Sequence, residues 1–183
     1  VKHFERLIFL DRDGTLNPDP GYLSHPAQLS LFPGVARSLA DLQTAGFGLV
    51  VVTNQSGVGR GLITLENLVA IHARMDELLV HEGGRPMDRY ALCTHRPDEG
   101  CVCRKPSPYL LRQSADFFGA KLDESFMIGD RSLDLQAGRS AGCRAVVHVR
   151  TGQGADEAKR LTEHDADYFA KDLEDAAAWI LSR

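Results

Sequence analysis

Residues 6–17, RLIFLDRDGTLN, run from an apolar stretch straight into two aspartates, Asp11 and Asp13, and a Gly14-Thr15 turn. An apolar run without alternation marks a strand covered on both faces, the usual condition of a parallel sheet. Carboxylates at its carboxyl end stand where ligands bind in open α/β sheets.

The same pattern recurs along the chain. FGLVVVT (47–53), RYALC (89–93), SFMIGD (125–130) and CRAVVHV (143–149) read as further buried strands, and ADYFA (166–170) as a weaker one. Stretches of helical period separate them. One covers 34–45, with Val35, Leu39 and Leu42 on a stripe; another covers 64–82, with Leu68, Ile71, Met75 and Leu78. Segments 108–118, 131–141 and 172–182 complete the helices, and Trp179 falls on the apolar face of the last. This alternation predicts an α/β fold: a Rossmann-like, three-layer parallel sheet with helices on both faces. Segments 15–33 and 94–108, rich in proline, fit neither period and read as loops.

The chain has 183 residues, 43% of them hydrophobic, which predicts one domain over 1–183 with a full core. A net charge of −4 offers no basic field for a nucleic-acid backbone. No apolar run is long enough to span a bilayer, and VKHFERLIFL has neither the apolar core nor the cleavage site of a signal peptide. The expected setting is the cytoplasm, without nucleic-acid or membrane partners, and the expected form is a monomer.

Four polar groups fall at successive strand ends. Asp11 and Asp13 follow the first strand, Thr53 and Asn54 the second, Arg104 and Lys105 come shortly after the third, and Asp130 ends the fourth. Converging carboxylates of Asp11 and Asp130 call for a divalent cation, and oxygen ligation favours Mg²⁺. With a lysine beside it, such an ion makes a phosphate site, to which Thr53, Asn54 and the backbone N–H groups of NQSGVGRG (54–61) add neutral donors. Asp11 is then placed to attack phosphorus, its charge offset by the cation and Lys105. Asp13 is placed to protonate the leaving oxygen and then deprotonate the hydrolytic water. Arg12 is expected to point away from the site, as a surface residue or a support behind it.

Together DRDGTLN, VVTNQSG, CRKP and MIGDRSLD resemble the four motifs of the haloacid dehalogenase phosphatase superfamily, over residues 9–134. DPGY (19–22), TNQSGVGRG, the cysteine-histidine loop and VRTGQG (149–154) are similar to its heptose bisphosphate phosphatases. The resemblance implies Asp11 as nucleophile, Asp13 as acid/base, and Thr53 and Lys105 as stabilisers of the transferring phosphoryl group. It implies Mg²⁺ held by Asp11, Asp13 (through its backbone carbonyl) and Asp130. Contacts to a small sugar phosphate are expected from Asp19, Gly21, Tyr22, Asn54, Gln55, Ser56, Arg60, Arg104 and Arg131. Tyr22 suits a core contact equally well. Many members of the superfamily insert a domain after the first or second motif; here the short spacings leave no room for a large cap.

CTHRPDEGCVC spaces Cys93, His95, Cys101 and Cys103 as a compact Cys₃His set, which predicts a zinc-stabilised loop. Thr94 stands where the resembled family usually has proline. With every position filled by protein, the metal is expected to be structural and to fix the loop that carries Arg104 and Lys105. Cys143 stands apart and is expected to be a buried, inert thiol. His3, His25, His72, His81, His148 and His164 show no ligand spacing and read as surface or core residues.

The function expected is a Mg²⁺-dependent phosphomonoesterase working through an aspartyl phosphate on the 7-phosphate of a heptose bisphosphate. Histidinol phosphate is the competing substrate, and a zinc-stabilised module that only binds a phosphorylated ligand is the competing class. The acidic balance argues against a polynucleotide phosphatase.

Overall fold

The computed structural model describes residues 2–183. Six strands, β1 (Leu7–Leu10), β2 (Gly48–Asn54), β3 (Arg89–Cys93), β4 (Phe126–Gly129), β5 (Ala145–Val149) and β6 (Tyr168–Ala170), form one sheet in the order β3-β2-β1-β4-β5-β6. Every pairing is parallel. The strands expected from the sequence are all present.

The helices are α1 (Val35–Thr44), α2 (Ser56–Gly59), α3 (Leu65–His81), α4 (Tyr109–Phe118), α5 (Ser132–Ala141), α6 (Gly154–Glu157) and α7 (Leu173–Leu181). On β1, Ile8 and Leu10 point into one core layer, with Leu39 of α1, Met75 of α3 and Ala176 of α7. Leu7 and Phe9 point into the other, with Leu111 of α4 and Leu135 of α5. This double burial is why β1 carries no polar residue on either face. Along α3 the buried stripe is Leu68, Ile71, Met75 and Leu79. Leu78, expected on that stripe, is only partly buried, because steps of four from Ile71 reach Met75 and then Leu79. Cys143 is half-buried beside the second layer, and burial pushes its thiol up to about 12, in keeping with an inert role.

The first crossovers step outward from β1 to β2 and β3, and the chain then returns to place β4 on the other side of β1. Because parallel crossovers are right-handed, this change of direction moves the helices to the opposite face of the sheet. It also opens a crevice beyond the carboxyl ends of β1 and β4, the topological switch point. Within 15–33 the regular structure is a 3-10 turn at Pro26–Gln28 plus an isolated bridge from Asp13 to Asn17, and 94–108 has none. Among the described residues no helix is long and apolar enough to cross a membrane.

Candidate active site

At the end of β1, Asp11 extends the ladder by donating its backbone N–H to Ile128 O at 3.0 Å. The chain then turns at Gly14, whose φ of +91° favours glycine. A side chain there is also excluded by space, since a Cβ would fall 2.2 Å from Oδ2 of Asp130. The turn therefore brings Asp11, at the end of β1, against the carboxylate that follows β4.

Lys105 links these groups. Its Nζ is buried and lies 2.6 Å from Oδ1 of Asp11, 2.6 Å from Oδ1 of Asp134 and 2.6 Å from the carbonyl of Val52. Burial opposes its charge, but Asp11 and then Asp134 outweigh it and raise its pKa above the ordinary lysine value. Carboxylate oxygens of Asp11, Asp130 and Asp134 all lie within 4.8 Å of one another. Burial, then the charges of Asp11 and Asp134, push Asp130 up to about 8. Asp134 is pushed to about 6 by burial, with Lys105 pulling the other way. One oxygen of Asp130, Oδ2, accepts from the Gln153 N–H at 2.9 Å, whereas Oδ1 is buried with no protein partner. Clustered carboxylates with an orphaned oxygen and raised pKa values fit a hard divalent cation.

Asp13 faces the other way. The Arg12 guanidinium forks onto it, Nε to Oδ1 at 3.1 Å and Nη2 to Oδ2 at 2.8 Å, and Asn17 and Gln55 donate to it as well. Burial would raise its pKa, but Arg12 and the two amides hold it below the usual carboxylate value. Arg12 is thus neither a surface residue nor turned away: it is fully buried and bound to Asp13. Behind it, His72 accepts from Nη1 at 3.2 Å and stacks on Tyr90. Burial and then the Arg12 charge lower His72 to about 3, so it is the neutral ring that accepts.

A cleft of about 340 Å³ opens above these groups. Asp19, Gly21 and Tyr22 line it from the first loop, Thr53, Gln55 and Ser56 from the end of β2, and Arg104 and Arg131 from the later loops. Asp19 and Arg131 meet across it at 3.4 Å. Asn54 and Arg60 stand apart from the other expected contacts. Asn54 borders the cleft and has a further role: Oδ1 accepts the Lys105 N–H at 3.0 Å and Nδ2 donates to the Lys105 carbonyl at 3.2 Å. It clamps the lysine's backbone, and the second hydrogen on Nδ2 stays available on the cleft side. Arg60 lies outside the cleft, exposed in a surface depression beside Arg96, because α2 ends at Gly59 and the chain turns outward.

Cys93, His95, Cys101 and Cys103 come together at the end of β3. His95 Nδ1 lies 3.8 Å from the Cys93 sulfur and 3.3 Å from that of Cys103, and Cys101 Sγ lies 3.6 and 3.7 Å from the two. An ion with tetrahedral arms of about 2.3 Å sets its ligand atoms about 3.8 Å apart, so the four can hold a metal ion.

Asp134, His72, His148 and Gln153 are absent from the site expected from the sequence. Asp134 carried a signal, lying four residues after Asp130 in GDRSLD, but an acid in a helix's first turn is ordinarily a cap. It is one here too, since Oδ2 accepts the Arg131 N–H at 3.1 Å while Oδ1 meets Lys105.

A strand-end pocket built from acids and one buried lysine, on a parallel sheet without a large cap among the described residues, fits a hydrolase of phosphate esters. Residues 102–176 match the HAD-hydrolase-like family model. The chain is 40% identical over 149 residues to the D-glycero-beta-D-manno-heptose-1,7-bisphosphate 7-phosphatase of Pseudomonas aeruginosa, covering 81% of this chain and 83% of that one. A D-glycero-D-manno-heptose-1,7-bisphosphate 7-phosphatase from Thermosynechococcus vestitus is 35% identical, with 94% of each chain covered. Among solved structures, the D,D-heptose 1,7-bisphosphate phosphatase from B. bronchiseptica, complexed with magnesium and phosphate, superposes with a TM-score of 0.90 at 36% identity, covering 97% of this chain and 98% of that one. The chain belongs to the haloacid dehalogenase superfamily of phosphatases.

Proposed function

We propose that the protein is a Mg²⁺-dependent phosphomonoesterase that removes the 7-phosphate of D-glycero-D-manno-heptose 1,7-bisphosphate through an aspartyl phosphate on Asp11. The reading is carried by the meeting of Asp11, Lys105 and Asp134 at the floor of a polar cleft, with buried Asp130 against them, in a chain 40% identical to a phosphatase of that name. Mg²⁺ would be held by Asp11, Asp130 and the backbone carbonyl of Asp13. When bound it supplies positive charge to the carboxylates and the phosphoryl oxygens.

The chain's own residues account for the rest. Asp11 uses a carboxylate oxygen to attack phosphorus, and the bond to the sugar oxygen breaks. Lys105 offsets the repulsion between that carboxylate and the phosphoryl group. Thr53 Oγ1 accepts from Gln55 Nε2 at 2.9 Å, which leaves its own proton free to donate to a phosphoryl oxygen. Asp13 protonates the departing sugar oxygen and then takes a proton from the water that opens the aspartyl phosphate. The Arg12 fork favours its ionised form, the state needed for the second step. Arg104 and Arg131 supply positive charge on the cleft wall for the rest of a bisphosphate.

The Cys₃His cluster is proposed as a structural zinc site. Its last ligand, Cys103, directly precedes Arg104 and Lys105, so an ion there would fix where both side chains emerge.

Initial rates on heptose 1,7-bisphosphate, histidinol phosphate and a panel of simple phosphate monoesters test the reading. The heptose is expected to give the highest kcat/KM, and Asp11→Asn to abolish turnover of all. Preference for histidinol phosphate would overturn the substrate, and full turnover by Asp11→Asn would overturn the covalent route.

A further inference from the structure

The loop after β5 takes no part in the reaction as proposed, yet three of its residues, with one from the strand, close on Asp130 and Gly14. Thr151 donates its hydroxyl to the Gly14 carbonyl at 2.7 Å, across 137 positions of sequence. Gly152, at a φ of +58°, presses so closely that a Cβ would fall 2.3 Å from Gly14 Cα and 2.6 Å from Asp130 Oδ2. Gln153 donates its N–H to that same Oδ2. On the strand itself, buried His148 places Nε2 3.1 Å from the Asp130 carbonyl. A carbonyl only accepts, so this nitrogen carries the proton.

We propose that residues 148–153 are a latch that aims the cation site, with Thr151 and His148 as positioning residues. Asp130 is gripped at both ends, by His148 on its backbone carbonyl and by the Gln153 N–H on Oδ2. That leaves Oδ1 as its one oxygen with no protein partner. Thr151 meanwhile pins the turn that follows Asp13, so the β1 acids and the β4 acid keep a fixed separation. Groups that orient metal ligands from behind are commonly worth ten- to a hundred-fold in metal affinity. The inference rests on reading Asp130 as a ligand of Mg²⁺.

The test is Mg²⁺ affinity, measured by titration calorimetry on the purified full chain, with kcat and KM beside it. Thr151→Val keeps the shape and removes the hydroxyl; Thr151→Ala serves if the valine variant does not fold, and Thr151→Ser keeps the hydroxyl. Loss of the hydroxyl is expected to weaken Mg²⁺ binding about tenfold and lower kcat more than it raises KM, with Thr151→Ser close to wild type. Gly152→Ala is expected to weaken binding further. Wild-type Mg²⁺ affinity in the hydroxyl-free variants, alongside its loss in Asp130→Asn, would overturn the latch and leave the ligand reading standing. Equal weakening in Thr151→Ser would also overturn the latch. Wild-type affinity in Asp130→Asn would overturn the ligand reading, and the latch with it.

Discussion

Lys105 Nζ lies 2.6 Å from Asp11 Oδ1, although 94 positions of sequence separate the two residues. The contact is buried, and the same ammonium meets Asp134, so one cation holds two carboxylates together. Removing it leaves both uncompensated. Lys105→Met is expected to cost about 3 kcal/mol of stability, the scale for breaking a buried pair. It should also lower kcat by roughly a hundredfold or more, as loss of a charge stabilising the transferring group does. Chemical denaturation and initial rates measure the two effects, and near-wild-type values of both would contradict the linkage.

Asn54 spends its amide on the backbone of Lys105. Asn54→Ala therefore loosens the backbone that carries the lysine. The expected result is a fall in kcat with KM nearly unchanged. A raised KM at constant kcat would return Asn54 to the substrate.

Arg60 stands outside the cleft. Arg60→Ala is expected to leave kcat and KM within about twofold of wild type, as exposed side chains away from a site generally do. Steady-state kinetics on the preferred substrate decide it.

The raised pKa of Asp130, about 8, gives Mg²⁺ binding a definite pH dependence. An unfolded aspartate titrates near ~4, so the folded protein holds this proton more tightly than the unfolded chain does. Its contribution to stability is complete below about pH 4 and is lost as pH rises through about 8. A cation needs the carboxylate and competes with that proton. The rise in Tm on adding Mg²⁺ should therefore be larger near pH 8 than near pH 6. An equal or smaller rise at the higher pH would contradict it.

Cys101 lies within 3.7 Å of the sulfurs of both other cysteines in its cluster. Cys101→Ser is expected to lower bound zinc, Tm and kcat together, because the loop it closes leads into Arg104 and Lys105. Elemental analysis, thermal unfolding and kinetics follow the three. A metal-free variant with full activity would show that the loop needs no ion.

The sheet is readable because its central strands declare themselves through short-range physics: an apolar run buried on both faces, then an abrupt polar residue where the end of the strand is reached. Asp11, Thr53 and Asp130 stand at such ends, and parallel pairing carries all three to the same end of the sheet. The Cys₃His loop was equally plain, since its ligands lie within eleven consecutive residues, 93–103. Side-chain direction was not. Arg12 sits between two catalytic candidates in the chain, and its inward turn onto Asp13 depends on the space beside His72 of α3. Asp134 looks like a simple helix cap until Lys105 arrives from a distant loop, and Thr151 looks like a loop polar residue until Gly14 lies against it. Local periodicity specifies which segments become strands and where they end. Which way a polar side chain points depends on the partner that satisfies it, and these partners come from remote segments brought together by packing.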